Sequence, residues 1–282
     1  MKKRFVIISL ASAMLFLASA CSSVPAAHHG QDVQLPGSQN IQKPVIAILP
    51  FFGGQTGEGE TIATLFSHQP ALLDTFTVVT RTSTAMELIL AEQGVTLTGL
   101  TDSDTIASLG RLLNADYVLS GSIRRLGDRN LLISTIVSVE TFEQVAGTYQ
   151  TYRILGDVPD ILPLMSRTMV DATLLRGTAR REYLAIVPFA HHAGISSHDA
   201  YTLTQILAIE LIRTGRYALL PRTSTIEAAR TEQGFQMEGD GIAALGRAAN
   251  ADFVLSGNIG SLGDVNVFIA QILRVMDGSV VV

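Results

Sequence analysis

The chain has 282 residues, of which 47% are hydrophobic and 16% charged, enough apolar material for one large folded region or two of ordinary size and too much for a disordered chain. Its 20 basic and 25 acidic side chains give −5, so there is no general attraction for phosphate backbones or anionic lipid heads, and nucleic-acid binding is set aside. Trp is absent and Cys21 is the only cysteine, which removes a base-stacking platform built on Trp and any intramolecular disulfide.

The first residues read as a leader. Met1-Lys2-Lys3-Arg4 is basic, and the apolar run at 5–18 is shorter than the ~20 residues a membrane-spanning helix needs. It closes on Leu17-Ala18-Ser19-Ala20-Cys21, small residues immediately before the cysteine. This segment resembles the lipobox of bacterial lipoproteins. The resemblance implies a signal peptide over 1–20 and a Cys21 that becomes the new N-terminus, carrying diacylglycerol and an N-acyl chain such as palmitate. Several acyl chains at ~0.8 kcal/mol per buried CH₂ hold far more firmly than one. Ser22 follows, not Asp, which by the same resemblance implies the outer membrane and a periplasm-facing protein. The alternative is a plain signal peptide with a stray cysteine. Residues 21–43 then form the lipidated cysteine and a flexible tether, rich in breakers and without a period. A coil of that length spans roughly 25 Å. His28-His29 lies there as an exposed polar pair.

The remainder is one unit written twice. Asn114-Ala115-Asp116-Tyr117-Val118-Leu119-Ser120-Gly121-Ser122-Ile123 returns as Asn250-Ala251-Asp252-Phe253-Val254-Leu255-Ser256-Gly257-Asn258-Ile259. Arg81-Thr82-Ser83-Thr84 returns at 222–225, Leu109-Gly110-Arg111 at 245–247, and Ala47-Ile48-Leu49-Pro50-Phe51 as Ala185-Ile186-Val187-Pro188-Phe189. A period above about 100 residues means duplicated domains and not a solenoid. The boundaries read as 44–181 and 182–282.

Each copy predicts the same elements. An apolar run (45–52, 183–189) reads as a strand buried on both faces. An amphipathic helix follows (60–67, 199–213), with Pro70 ending or kinking it in the first copy. A second strand (75–80, 217–220) leads to helices opened by Thr84 with Glu87 and Ser224 with Glu227, and closed at Gly94 and Gly234. A short helix (105–113, 241–249), a third strand (117–123, 253–259), a turn at Gly127-Asp128 or Gly263-Asp264, and a fourth strand (131–139, 267–275) come next. A fifth strand is read at 144–153 and 279–282. The fold class is α/β (α+β): two tandem repeats of a mixed five-stranded sheet with helices packed on it.

The copies differ at one place. The first continues into 161–175, apolar at helical spacing, and the second has no such segment. If the topology is shared, the second copy ends with an under-covered apolar face and a bare strand edge, a surface for a partner or another subunit. The alternative is that the 161–175 helix serves both copies.

These motifs together resemble the curli-secretion (CsgG-like) and TolB amino-terminal-domain superfamily, which includes outer-membrane lipoproteins that activate penicillin-binding proteins. The likeness covers about 45–153 and 183–282. It implies fold and the lipid site at Cys21, and it carries over no catalytic residue.

No constellation for chemistry stands out, so the expectation is a protein that is not an enzyme and uses no cofactor. Gly53-Gly54-Gln55-Thr56-Gly57-Glu58-Gly59 lies between a strand and a helix but fits no phosphate-loop pattern, and Glu58 and Glu60 would repel a phosphate. His191, His192 and His198 are metal ligands in type, yet adjacent side chains on a strand alternate and the first copy has Gly53-Gly54 there. Ser120-Gly121 and Ser256-Gly257 sit in strands, where glycine marks a bulge or close backbone approach. Arg81 and Arg222 read as structural hydrogen-bond donors, or as ligands for an anionic partner. Asp116 and Asp252, at helix-to-strand joints, read as turn-stabilising.

The leading expectation is a lipid-anchored, periplasm-facing outer-membrane lipoprotein that acts by protein–protein contact, as scaffold or activator of cell-envelope machinery. Its partners are the membrane, through Cys21, and a protein or second copy met through the second domain. The alternatives are a subunit of a curli-type or other ring-forming assembly, and a ligand- or metal-binding domain pair.

Overall fold

The computed structural model describes residues 43–80, 103–175, 181–191, 195–220, 239–262 and 265–281. Cys21, the tether, Arg81, Arg222, the four capping residues, Gly94, Gly234 and His192 lie outside them.

In the first copy the chain runs β1 (Val45–Ile48), β2 (Phe52–Gly53), α1 (Glu58–Ser67), α2 (Pro70–Thr75), β3 (Thr77–Thr80), α3 (Ser103–Leu112), β4 (Tyr117–Leu126), β5 (Arg129–Ser138), β6 (Gln144–Tyr152) and α4 (Val158–Leu174). The second runs β7 (Glu182–Ile186), β8 (Ala190–His191), α5 (Ser197–Arg213), β9 (Tyr217–Leu219), α6 (Gly239–Ala248), β10 (Phe253–Leu262) and β11 (Val265–Arg274). The apolar run at 45–52 is broken into β1 and β2 because Pro50 has no N–H to offer a ladder, and the N–H of Phe51 turns to the carbonyl of Gly59. Pro70 takes the first helical position of α2, where no N–H is needed.

Parallel pairs join β1 to β3 and β4, and the antiparallel meander β4–β5–β6 follows. The second copy repeats this as β7 with β9 and β10, then β10 with β11. The read fifth strand of that copy reduces to one bridge, Leu273 with Val280. The copies join where β6 pairs antiparallel with β9, so one mixed sheet of order β11-β10-β7-β9-β6-β5-β4-β1-β3 carries both.

That junction keeps strand order and reverses strand direction, a half-turn about an axis running across the strands. The helix-bearing faces therefore alternate. Ile46, Ile48, Leu132 and Ile136 face α1, α2 and α4, while Ala47, Leu49 and Val137 face α3. Leu131 and Ile133, on the α3 side of β5, are covered by Ile209 of α5 from the second copy. Ile206 and Tyr149 pack around the same cluster.

The duplicated motifs hold this frame together. The Asp116 carboxylate accepts from the N–H of Val45 at 2.7 Å, and Asp252 from Tyr183 at 2.8 Å, tying each helix-to-strand joint to the first strand of its copy. Asn114 and Asn250 sit at φ 51° and 54°, the left-handed turn that ends α3 and α6. A Cβ on Gly110 would run into Val118 and Val139, and one on Gly246 into Val254 and Val275. Gly121 and Gly257 leave room for the rings of Phe51 and Phe189 on the sheet.

Candidate functional site

β11 and β5 are the same strand of the repeat, so each residue of one has a counterpart in the other. Leu131, Leu132 and Ile133 are 2% exposed or less. Their counterparts are Val267, half-buried, Phe268 at 41% and Ile269 at 56%. The side chains are equally apolar; the cover differs. In the first copy β6 pairs along β5, α4 lies over Leu132 and Ile136, and α5 lies over Leu131 and Ile133. Among the described residues the second copy has none of these three covers, and β11 ends the strand order.

The chain beyond β11 starts the same way as beyond β5. Phe142 and Gly278 occupy equivalent left-handed turn positions, at φ 61° and 69°. The N–H of Ser138 donates to Glu143, and that of Arg274 to Ser279. The N–H of Val281 then donates to the carbonyl of Ile272 at 2.7 Å, and no described residue continues the ladder. Since Ile272 and Arg274 point their backbone groups to this edge, strand alternation points those of Asn266, Phe268 and Ala270 the same way. Phe268 leans on Phe189, centroids 4.8 Å apart. No charged residue stands between Val265 and Leu273, and Arg274 pairs with Asp277 in the adjoining turn at 3.4 Å. Among the described residues this uncharged, largely apolar edge has no ladder partner from Val265 to Gln271, the kind of edge that sheets cover or charge.

The other expected sites resolve differently. The glycine-rich loop closes on the chain's own carboxylate: Glu58 Oε2 accepts from the N–H of Gln55 at 2.8 Å, and Oε1 from the hydroxyl of Tyr152 at 2.6 Å. The place a phosphate would take at the start of α1 is thus filled. His191 Nε2 lies 3.0 Å from Ser197 Oγ, while the ring of His198 turns to Arg124 Nη1 at 3.3 Å, a cation beside it. Among the described residues no three His, Cys, Asp or Glu side chains form a metal-ligating group. A cleft of about 70 Å³ lies at the junction of the copies, between Thr135, Gln144 and Gln205. It is well below the ~300 Å³ at which small-molecule pockets begin. No described helix is long and apolar enough to cross a membrane.

The sequence did not show Glu58 with Tyr152, whose partners lie 94 positions apart, nor Ile209 as the cover of Leu131 and Ile133.

No protein-family model matches the sequence, and no curated protein does. The fold is similar in part to several solved structures. The LpoB C-terminal domain from Salmonella enterica superposes with a TM-score of 0.30 at 16% identity, over 41% of this chain and 87% of that one. Lipoprotein GNA1162 from Neisseria meningitidis gives 0.31 at 12%, over 39% and 81%. TolB from Acinetobacter baumannii gives 0.31 at 16%, over 46% and 28%.

Proposed function

We propose that the protein is a lipid-anchored, periplasm-facing lipoprotein of the outer membrane that works by protein contact, as a scaffold or activator of cell-envelope machinery, and that it catalyses no reaction. Its leader supports the anchor, with Cys21 as the lipid site. The observation that carries the contact reading is the β11 end of the sheet, where Phe268 and Ile269 stand exposed while Leu132 and Ile133 are fully covered. A ring made by repeating the internal junction is less well supported. The edge that such a ring would offer, β3, is four residues long with exposed Thr77 and Thr80 at its ends.

Two measurements test this reading. Cys21→Ser moves the protein out of the outer-membrane fraction; retention there would refute the anchor. A photo-reactive residue at Ile269 in living cells gives cross-linked adducts, whether with a second copy or with another envelope protein. Cross-linking no stronger than from a solvent-facing site such as Glu60 would remove β11 as the contact surface.

A further inference from the structure

We infer that a cleft in the first copy, walled by the glycine-rich loop and by Arg125 and Arg153, receives an extended acidic segment of a partner protein. The inference rests on the contact reading above only in taking the partner to be a protein. It names a second surface and the chemistry of its occupant.

The cleft has a volume of about 740 Å³. Gly54 to Glu58 and Thr61 form one wall, and Arg125, Asn130 and Arg153 to Leu155 the other. The strand registers set Arg125 opposite Asn130 and Asn130 opposite Tyr152, whose hydroxyl reaches Glu58 of α1. Those three side chains therefore form one row across β4, β5 and β6, on the face that carries α1. Arg124, one residue earlier, turns to the other face and lies 3.3 Å from His198. Arg125 spends its Nε on the carbonyl of Gly127 at 3.4 Å, which leaves its outer N–H groups for a ligand. Among the described residues neither Arg125 nor Arg153 has an ion-pair partner. The carboxylates nearby are already engaged, Glu58 by Gln55 and Tyr152, and Asp157 by the N–H groups of Arg153 and Ile154 at 3.0 and 3.2 Å. The repeat does not require Arg125. Its counterpart in β10 is Ser261, paired with Asn266 as Arg125 is with Asn130.

A guanidinium recognises a carboxylate or phosphate through paired N–H donors. The size and rim of the cleft decide what carries that group. One small anion would fill little of it and leave Ile154, 66% exposed, and Leu155 without use. A lipid surface fits less well, since the cleft lies at the Gly53 end of β1 and β2, roughly 25 Å along the strands from Lys43, where the tether joins. An extended segment suits both features. Arg125 and Arg153 stand two strands, or about 10 Å, apart. Acidic side chains two residues apart on an extended chain project to one side at about 7 Å, within reach of two arginines. An apolar residue beside them covers Ile154 and Leu155.

The test uses the full chain extracted from membranes in mild uncharged detergent, and a short dye-labelled peptide that alternates aspartate with leucine. Fluorescence anisotropy shows saturable binding that weakens as salt is added. The same peptide with asparagine for aspartate binds about tenfold more weakly. Arg125→Gln and Arg153→Gln each weaken the aspartate peptide by about tenfold. Arg213→Gln, on α5 and paired with Glu210, leaves its binding unchanged. All three positions are exposed, and circular dichroism confirms that the variants fold. The absence of saturable binding overturns the inference, and so does equal binding of the asparagine peptide or binding that survives both substitutions. Displacement by inorganic phosphate as readily as by unlabelled peptide makes the cleft a site for small anions and overturns it too. Capture of phosphatidylglycerol vesicles through the same two arginines, in place of the peptide, does the same. An idle cleft together with adducts from Ile269 in cells sinks this inference and leaves the contact reading standing. Binding in the cleft without adducts from Ile269 upholds it and removes β11 as the contact surface.

Discussion

Gly110 and Gly246 show what the duplicated residues are for. Each is pressed by two valines, one on the third strand of its copy and one at the end of the fourth, and neither has room for a methyl group. Gly110→Ala and Gly246→Ala should each lower stability by about 1–3 kcal/mol, the usual cost of overpacking. Equilibrium urea unfolding reads the loss, and an unchanged midpoint in either variant would mean that the helix shifts freely off the sheet. Asp116 and Asp252 were read from sequence as turn-stabilising, whereas their carboxylates reach 71 and 69 positions back to the N–H groups of Val45 and Tyr183. Glu58 with Tyr152 was not legible, because a helix-start glutamate and a strand tyrosine 94 positions apart share no local pattern. Tyr152 is 2% exposed, and Tyr152→Phe leaves a buried carboxylate oxygen without its donor, at about 1–3 kcal/mol. Burial first, and then the neighbouring Glu58, hold the Tyr152 phenol above the ordinary tyrosine range. A raised pKa means that the contribution is present below about pH 10 and is lost as pH climbs past it, because the unfolded tyrosine ionises first. The stabilities of parent and Tyr152→Phe should thus converge in alkali. A gap that widens there would show that Tyr152 is not held protonated. Tyr149, raised by burial and then by Glu210, leaves a residual alkaline slope in the variant.

At the scale of elements, β5 and β11 are a matched experiment in the effect of cover. Both are ten-residue strands paired antiparallel with the third strand of their copy. Period and β-propensity predicted both alike, and the difference lies in what the rest of the chain lays over them. That the read strand at 279–282 would show only a bridge among the described residues was not legible, because a short valine run looks the same paired or unpaired. Amide exchange separates the two strands. The N–H groups of Leu132 and Ser134 should be strongly protected by β6 at any concentration. Those of Phe268 and Ala270, for which the described residues offer no ladder partner, should exchange faster. Equal protection of the two strands would mean that something outside the described residues covers β11.

At the scale of the molecule, the repeat boundary at 181–182 does not interrupt the sheet. The crossing rests on one ladder pair, Gln144 with Leu219, and on α5 laid over β5 and β6. Neither was legible. A single pair leaves no sequence pattern, and α5 is apolar toward its own copy through Ala208 and Ile212 and toward the other through Ile206 and Ile209, which blurs its helical stripe. Such a junction makes unfolding a property of both copies together. Calorimetry of the parent should give one transition, with calorimetric and van't Hoff enthalpies in agreement. Ile209 is 1% exposed, and Ile209→Ala should cost about 2–5 kcal/mol by opening a cavity beside Leu131 and Ile133. Ile209→Glu goes further by burying a charge against those side chains, and it should split the transition in two. The second copy should melt first, since among the described residues nothing lies over Phe268 as α4 lies over Leu132. Two transitions already in the parent would mean that the shared sheet is only a contact between independently stable halves. A single transition that persists in Ile209→Glu would move the coupling from α5 to the strands themselves.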